Sequence, residues 1–443
     1  MNPPLFSSTL SSLSRRRFLA QTALTSLGPL LLPAFLRAED APSNHILCGA
    51  IGTGRMGRAD MKGLMETGLK TGARLIAVCD VDKKRADEAK SMVDSFYAAK
   101  DGKAGWNCAV YTDHRALLAH QGLDAVVIAT PDHWHAAIAI DAAKAGKHIY
   151  LEKPLTYSHA EGRALVQAVR SHKVVLQTGS MQRSSKRFRT ACEHVRNGHL
   201  GKLHTIRVQL PPDSGTGSRT PMPVPPNLDF NHWLGPRPEA EYTEDRVHPQ
   251  NGFGRPGWLQ IEDYCLGMVT GWGSHMYDIA QWGNNSDDSG LVEIQAKGEF
   301  PDRGIFNVHT KFTVEGTFAN GTKLFASTGD AGVWFEGDKG KLFVSREIQT
   351  TEPRSIAKEA FAPDALRLRV SDNHMEDFLV SARSGTDPIC PVETGHRSNT
   401  LCILTHIAMK QGRKLKWDPV AESFIGDDAA NAMLAYTPRV WEK

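Results

Sequence analysis

Three glycines, one acid and one lysine carry the first chemical signal in this chain. Gly52, Gly54 and Gly57 stand in the spacing Gly-x-Gly-x-x-Gly, after the apolar run Ile46–Ile51 and before a helical pattern with Ala59, Met61, Leu64 and Met65. Strand, glycine turn and helix in that order form a cradle for a dinucleotide. The first glycine takes the tight turn, the second lets the backbone approach a pyrophosphate, and the third lets the helix pack close to the strand. Arg55 and Met56 open that helix, whose free N–H groups face the phosphates. A second apolar run, residues 74–79, ends in Asp80, placed where a carboxylate accepts from the adenosine ribose hydroxyls. An acid there repels a 2′-phosphate and favours NAD, while Lys83, Lys84 and Arg85 leave NADP open.

Lys153 lies in Glu152-Lys153-Pro154, at the carboxyl end of the run His148–Leu151. Parallel sheets bind ligands in the crevice at the carboxyl ends of their strands. An ammonium there can hydrogen-bond a substrate hydroxyl and stabilise the alkoxide that forms as hydride leaves. Glu152 tunes its charge.

The elements that must position these groups follow from the pattern around them. Residues 44–172 alternate short apolar runs with helical patterns, which predicts an α/β domain of Rossmann type with helices on both faces of a parallel sheet. Its runs include 123–131, 148–151 and, after a helix over 158–171, residues 174–177. Residues 173–443 change character. Longer strands at 203–210, 292–297, 311–318 and 323–328, with turns at Asn320-Gly321 and Asp338-Lys339-Gly340, predict a large, mostly antiparallel open sheet in an α/β domain whose open face meets the first domain. Residues 211–227 read as an irregular loop, and helices are expected near 373–384 and 396–411.

Composition narrows the class. The chain has 443 residues, 41% of them hydrophobic, and a formal net charge of +3, with its cations scattered. That excludes a nucleic-acid or membrane-surface protein and suits a globular protein of two domains. Ser14-Arg15-Arg16-Arg17-Phe18-Leu19 before a modest apolar run at 20–36 has the layout of a twin-arginine export signal over residues 1–40, with cleavage near Ala38 and a periplasmic destination. Thr22, Thr25, Ser26, Gly28, Pro29 and Pro33 interrupt the run, which argues against a retained anchor. The seven cysteines form no Cys-x-x-Cys and read as buried thiols, neither a disulfide framework nor a metal site.

The glycine loop, Ala77-Val78-Cys79-Asp80, Ala129-Thr130-Pro131-x-x-x-His135, Ala145-Gly146-Lys147-His148 and Glu152-Lys153-Pro154 together resemble the Gfo/Idh/MocA superfamily. The resemblance implies an NAD(P)-dependent oxidoreductase acting on a CH–OH group of a sugar or polyol. It places Lys153 beside the nicotinamide, with a cis bond before Pro154, and Thr130, Pro131, His133 and Trp134 near the nicotinamide ribose. His135 reads as a helix-packing residue. The stretch Gly267–Asp278 resembles the family's Asp-x-Gly-x-His-x-x-Asp helix, which implies that His275 is the proton acceptor, with Asp278 structural; an unperturbed imidazole titrates near pH ~6.5. Gly271 stands where the family carries its first acid, so either a different residue supplies it, with Asp263 or Glu262 as candidates, or the substrate is bound differently. Trp272 is expected to stack on a sugar face. Gln182 and Arg183 fall where relatives reach toward substrate, and Arg255, Trp258 and Tyr264 offer planar donors and aromatic faces suited to a sugar.

Export predicts an NAD that loads once and is recycled in place. Two further readings stand beside the dehydrogenase: an NAD-dependent glycosidase or lyase working by transient oxidation and elimination, and a non-catalytic sugar-binding protein. Expected partners are a small carbohydrate, the export machinery and further copies of the chain, with no nucleic acid.

Overall fold

A computed structural model describes residues 45–100, 105–213 and 215–440. The expected export signal over residues 1–40 and its expected cleavage site lie outside the described residues. Six strands, β1 (Ile46–Ile51), β2 (Ala73–Cys79), β3 (Ala109–Tyr111), β4 (Ala125–Ile128), β5 (His148–Leu151) and β6 (Leu176–Thr178), form a parallel sheet in the order β3-β2-β1-β4-β5-β6. β1 and β4 are apolar and almost wholly buried, as strands covered on both faces must be. The strand order reverses between β1 and β4, and a crevice opens there at the carboxyl ends. β6 lies beyond residue 172 and belongs to this sheet by its pairing with β5.

Local chemistry sets the connecting helices. Gly72, in the left-handed region at φ 72°, ends the helix Arg55–Thr71. Ser158 and Glu161 make a reciprocal capping box that starts the helix His159–Ser171. The helix His374–Ser384 comes from far along the chain yet packs Met375, Phe378 and Leu379 against Met61, Leu64 and Tyr150 of the parallel-sheet core.

The second sheet has nine strands: β7 (Leu203–Leu210), β8 (Leu291–Glu299), β9 (Lys311–Phe318), β10 (Lys323–Thr328), β11 (Gly332–Gly337), β12 (Gly340–Val344), β13 (Gln349–Glu352), β14 (Leu415–Asp418) and β15 (Ser423–Phe424). The order is β13-β12-β11-β7-β10-β9-β8-β14-β15, antiparallel except for β7 beside β10. β9 alternates exposed and buried residues along Lys311–Phe318, so one face is wet and the other dry. The dry face packs on the helices Lys186–Arg196, Gly273–Gly283 and Val392–Gln411. These helices separate the sheet from the parallel-sheet domain, which corrects the expectation that the open face meets that domain. The open face instead carries Phe325, Trp334 and Phe343 with Arg207 and Lys341 over their rings.

All seven cysteines are free and buried. Among the described residues no helix is long and apolar enough to cross a membrane.

Candidate active site

A cavity of ≈ 480 Å³ runs along the carboxyl edge of the parallel sheet. One end is the glycine turn. Gly52 has φ +85°, and a Cβ there would lie 2.7 Å from the Ala129 carbonyl at the sheet's switch point. Gly57 does not line the cavity; it packs instead, because its Cβ would fall 1.9 Å from the Gly52 oxygen. Asp80 Oδ2 accepts from the Thr53 amide at 2.8 Å and hydroxyl at 3.0 Å, while Oδ1 accepts from the Asp82 amide at 2.9 Å. The carboxylate is thus held at the end of β2, facing the cavity beside Gly54, Arg55 and Met56.

Residues 248–256 arrive from the second domain and cross this end. His248 Nε2 meets Asp82 Oδ2 at 3.0 Å, Lys84 donates to the Gln250 carbonyl at 2.8 Å, and Arg85 donates to the Pro249 carbonyl at 3.0 Å. The Phe253 ring takes the guanidinium of Arg58 at 4.4 Å and that of Arg85 at 5.1 Å. Lys83 pairs with Asp87 at 2.5 Å. All three cations that left NADP open are therefore engaged within the protein.

The far end gathers Lys153, Glu152, Asp132, His275, Gly271, Trp272, Met181 and Arg346. The Lys153–Pro154 peptide is cis, and Lys153 Nζ lies 4.0 Å from Glu152 Oε2. Burial pushes the Glu152 carboxyl up against the pull of Lys153, and its Oε1 is buried without a partner among the described residues. His135 positions both loops, with Nδ1 2.7 Å from the Pro154 carbonyl and Nε2 3.0 Å from that of Thr130. Burial lowers His135 to about 4, so the imidazole is neutral. His275 is 5% exposed. Burial first, then Lys153 and Arg346, hold it well below the usual imidazole range, and its Nδ1 has no partner among the described residues. Asp132 begins the helix Asp132–Lys144 and is raised to about 7 by burial, eased by Lys153 and by the Cys265 thiol.

The structure redistributes several residues that the sequence pointed toward ligand. His133 does not face the cavity: its Nε2 lies 2.9 Å from the Trp233 carbonyl, which also accepts from Trp134 Nε1 at 3.0 Å. Trp134 does line the cavity, as do Thr130, Pro131, Arg255 and Trp258. Tyr264 is fully buried against His133 and Trp233, with its hydroxyl 3.3 Å from Arg246. Arg183 is spent on Asp278 and Asp287. Gln182 sits behind the wall: its amide donates to the His275 carbonyl at 3.1 Å and its oxygen accepts from Arg346 Nε at 3.2 Å. Trp272 lines the cavity, but Arg346 covers its ring at 4.6 Å, so that face is taken.

Neither expected substitute for the pocket acid reaches the cavity. Glu262 is bound by Lys410 at 2.8 Å and His406 at 3.3 Å, and Asp263 lies 3.7 Å from Arg237. The acids that do line the substrate end are Asp132 and Glu152. A Cβ at Gly271 would meet only Met268 Sδ at 3.9 Å, so this position looks into open space. Asp132 had a signal in sequence, being the acid directly after Thr130-Pro131. Arg346 had none.

Residues 46–180 match an oxidoreductase family with NAD-binding Rossmann fold, Gfo/Idh/MocA, and residues 213–442 match its C-terminal alpha/beta domain. The chain belongs to the Gfo/Idh/MocA oxidoreductase family. It is 31% identical to myo-inositol 2-dehydrogenase of Thermotoga maritima over 380 residues, covering 84% of this chain and 98% of that one. With the uncharacterized oxidoreductase YrbE of Bacillus subtilis it shares 30% identity over 42% of this chain, spanning about half (48%) of that relative. The fold is also that of the WlbA dehydrogenase from Bordetella pertussis, solved with NADH and UDP-GlcNAcA, at TM-score 0.61 and 16% identity over 84% of this chain and 99% of that one. Levoglucosan dehydrogenase, solved with NADH and levoglucosan, gives TM-score 0.60 at 17% identity with the same coverage of 84% and 99%.

The family's NAD fits the residues present. Gly52 and Gly54 bring bare backbone to the cavity, the helix starting at Arg55 has no side-chain cap on its first N–H groups, Asp80 faces the cavity, and Thr130 Oγ1 is buried beside it without a partner among the described residues.

Proposed function

We propose that this protein transfers hydride between a retained NAD and a hydroxyl or ketone of a carbohydrate or polyol. The observation that carries this is a single cavity whose walls include the glycine turn and Asp80 at one end and Lys153, His275 and Trp272 at the other. When bound, NAD supplies the hydride acceptor. Lys153 offers a cation to the developing alkoxide, and hydrogen bonds to a charge that forms only in the transition state lower the barrier. His275, kept neutral by burial and by Lys153, has a lone pair ready to take the hydroxyl proton. Arg255 and Trp258 line the same space and contribute substrate contacts.

Retention of the nucleotide is part of the proposal. The 248–256 segment closes over the glycine-turn end through Asp82, Lys84, Arg85 and Arg58. Such closure suits an enzyme exported folded by the twin-arginine machinery to a periplasm without a nicotinamide pool, and assembly as a homo-oligomer belongs to the same reading. The test is direct. The mature protein, denatured after purification, releases NAD, and a sugar panel reduces it in place; Lys153→Ala lowers that reduction at least ~100-fold. Absence of nucleotide together with no binding of added NAD overturns the reading.

Gly271 favours a second reaction class. With the usual acid missing, Asp132 is a second candidate base in the same cavity. Oxidation of a ring hydroxyl to a ketone acidifies the adjacent C–H; a base removes that proton, the substituent leaves as it is protonated, water adds, and the hydride returns to the ketone. The net reaction is hydrolysis. Deuterium incorporation at the adjacent carbon separates it from simple dehydrogenation. A non-catalytic sugar-binding role predicts that sugars bind but none of the panel reduces the NAD, in the parent protein as in Lys153→Ala.

A further inference from the structure

Arg346 lies in the turn between β12 and β13, exposed at the mouth of the cavity. Its position is built from three separate segments. The Trp272 ring lies 4.6 Å beneath the guanidinium, Gln182 Oε1 accepts from Nε at 3.2 Å, and Gln182 is itself anchored on the His275 carbonyl at 3.1 Å. Arg187 donates to the Arg346 carbonyl and holds the turn. These contacts use the inner nitrogen and one face of the group and leave both terminal nitrogens without an acceptor among the described residues.

A guanidinium meant to pair inside the protein had a carboxylate one residue away. Glu347 instead accepts from the Ser345 hydroxyl at 2.9 Å. No carboxylate among the described residues comes within 4.0 Å of Arg346. Arg255 of the same cavity donates to Asp213 at 2.6 Å, Lys153 stands 4.0 Å from Glu152, and Arg55 lies at the glycine-turn end. Burial holds Glu152 and Asp132 up toward their neutral forms, which reduces the negative charge opposing an anion in this space. The end of the cavity that holds the residues of the reaction therefore presents an oriented fork of N–H donors, unpaired among the described residues.

We propose that Arg346 is an anion-binding subsite, and that the carbohydrate this cavity takes carries a carboxylate, a sulfate ester or a phosphate ester. This rests on the carbohydrate reading above. Two parallel N–H groups match two oxygens of any of these groups, a geometry lysine cannot reproduce. Stacking on Trp272 and the bond to Gln182 fix the fork before substrate arrives, so less side-chain freedom is lost on binding.

The experiment is calorimetric titration of the full-length, NAD-loaded protein with matched probes. These are glucose against glucuronate, galactose against galacturonate, and glucose against its 6-sulfate and 6-phosphate. In at least one pair the acidic member binds ~10-fold or more tightly, the scale of one charge-assisted bond at a partly exposed site. The uronate and ester arms identify which anion is meant. In Arg346→Gln, checked for retained NAD as a mark of correct folding, the acidic-to-neutral ratio collapses toward one, and Arg346→Lys keeps part of it. Equal affinity within every pair overturns the proposal. So does an Arg346→Gln protein that weakens both members by the same factor, since Arg346 then only packs Trp272. If no member of any pair binds while NAD stays in place, the carbohydrate reading fails along with it.

Discussion

Arg183 Nη2 lies 2.8 Å from Asp278 Oδ1, with both side chains almost wholly out of solvent, and the same guanidinium reaches Asp287 at 2.8 Å. Ser398 adds a bond to Asp278 at 2.7 Å. This pair ties the Met181–Ser184 turn to the Gly273–Gly283 helix that carries His275. Arg183 thus serves the site by holding its frame.

Breaking that pair leaves a buried, unpaired charge. Arg183→Met is expected to cost about 3–5 kcal/mol of stability, whereas an exposed pair such as Lys62–Glu66 is worth less than ~1 kcal/mol. Urea denaturation of Arg183→Met and of Lys62→Met checks this, and equal small losses in both would show that the pair does not hold the frame.

Phe253 sits between two arginines in the segment over the nucleotide end. Phe253→Ala is expected to speed release of NAD ~10-fold or more while leaving the fold intact, because two cation–π contacts of ~0.5–1 kcal/mol each are lost with the ring's packing. Transfer of released nucleotide to an excess of a competing NAD-binding enzyme reads the rate. An unchanged rate places retention elsewhere.

The pH profile of NAD reduction separates His275 from Asp132, the second candidate base. Its carboxyl, raised to about 7 by burial and drawn back by Lys153, is protonated below that pH and ionised above it. Oxidation of an alcohol needs a proton acceptor: with neutral His275 in that role the rate is expected to change little with pH around 7, whereas a rise up to about 7 that Asp132→Asn flattens assigns the role to Asp132. His275 cannot produce that step, since burial and Lys153 hold it well below the usual imidazole range. A step that persists in Asp132→Asn removes Asp132 from the proton path.

Gly271 faces open cavity, so Gly271→Asp should fold and retain NAD, with a change in unfolding free energy of less than ~1 kcal/mol. The new carboxylate is expected to weaken binding of an acidic sugar and leave a neutral one less affected, by like-charge repulsion in a partly dry site. Calorimetry with glucuronate and glucose distinguishes this from a general loss of both.

Much of the nucleotide half was legible because its chemistry is local. The residues Gly52, Gly54 and Gly57 are a few positions apart, and the turn they make is decided by the backbone over those positions alone. The strands at Leu203–Leu210, Lys311–Phe318 and Lys323–Thr328 were equally readable, since two-residue alternation reports a half-buried sheet without any partner being known. The substrate half was less so. His133, Arg183 and Tyr264 have the residue types of a binding site, but type does not say which way a side chain turns. His133 turned toward the Trp233 carbonyl, 100 positions along the chain.

The sequence by itself determined a dinucleotide cradle followed by a lysine at a strand end, because spacing within one strand–turn–helix unit fixes both. Only the tertiary structure decided which acids enter the cavity, that the 248–256 segment crosses the nucleotide end, and that Arg346 stands beside His275. Those outcomes depend on segments up to about two hundred positions apart being packed together. Burial and pairing there, unlike a turn, are set by every neighbour at once.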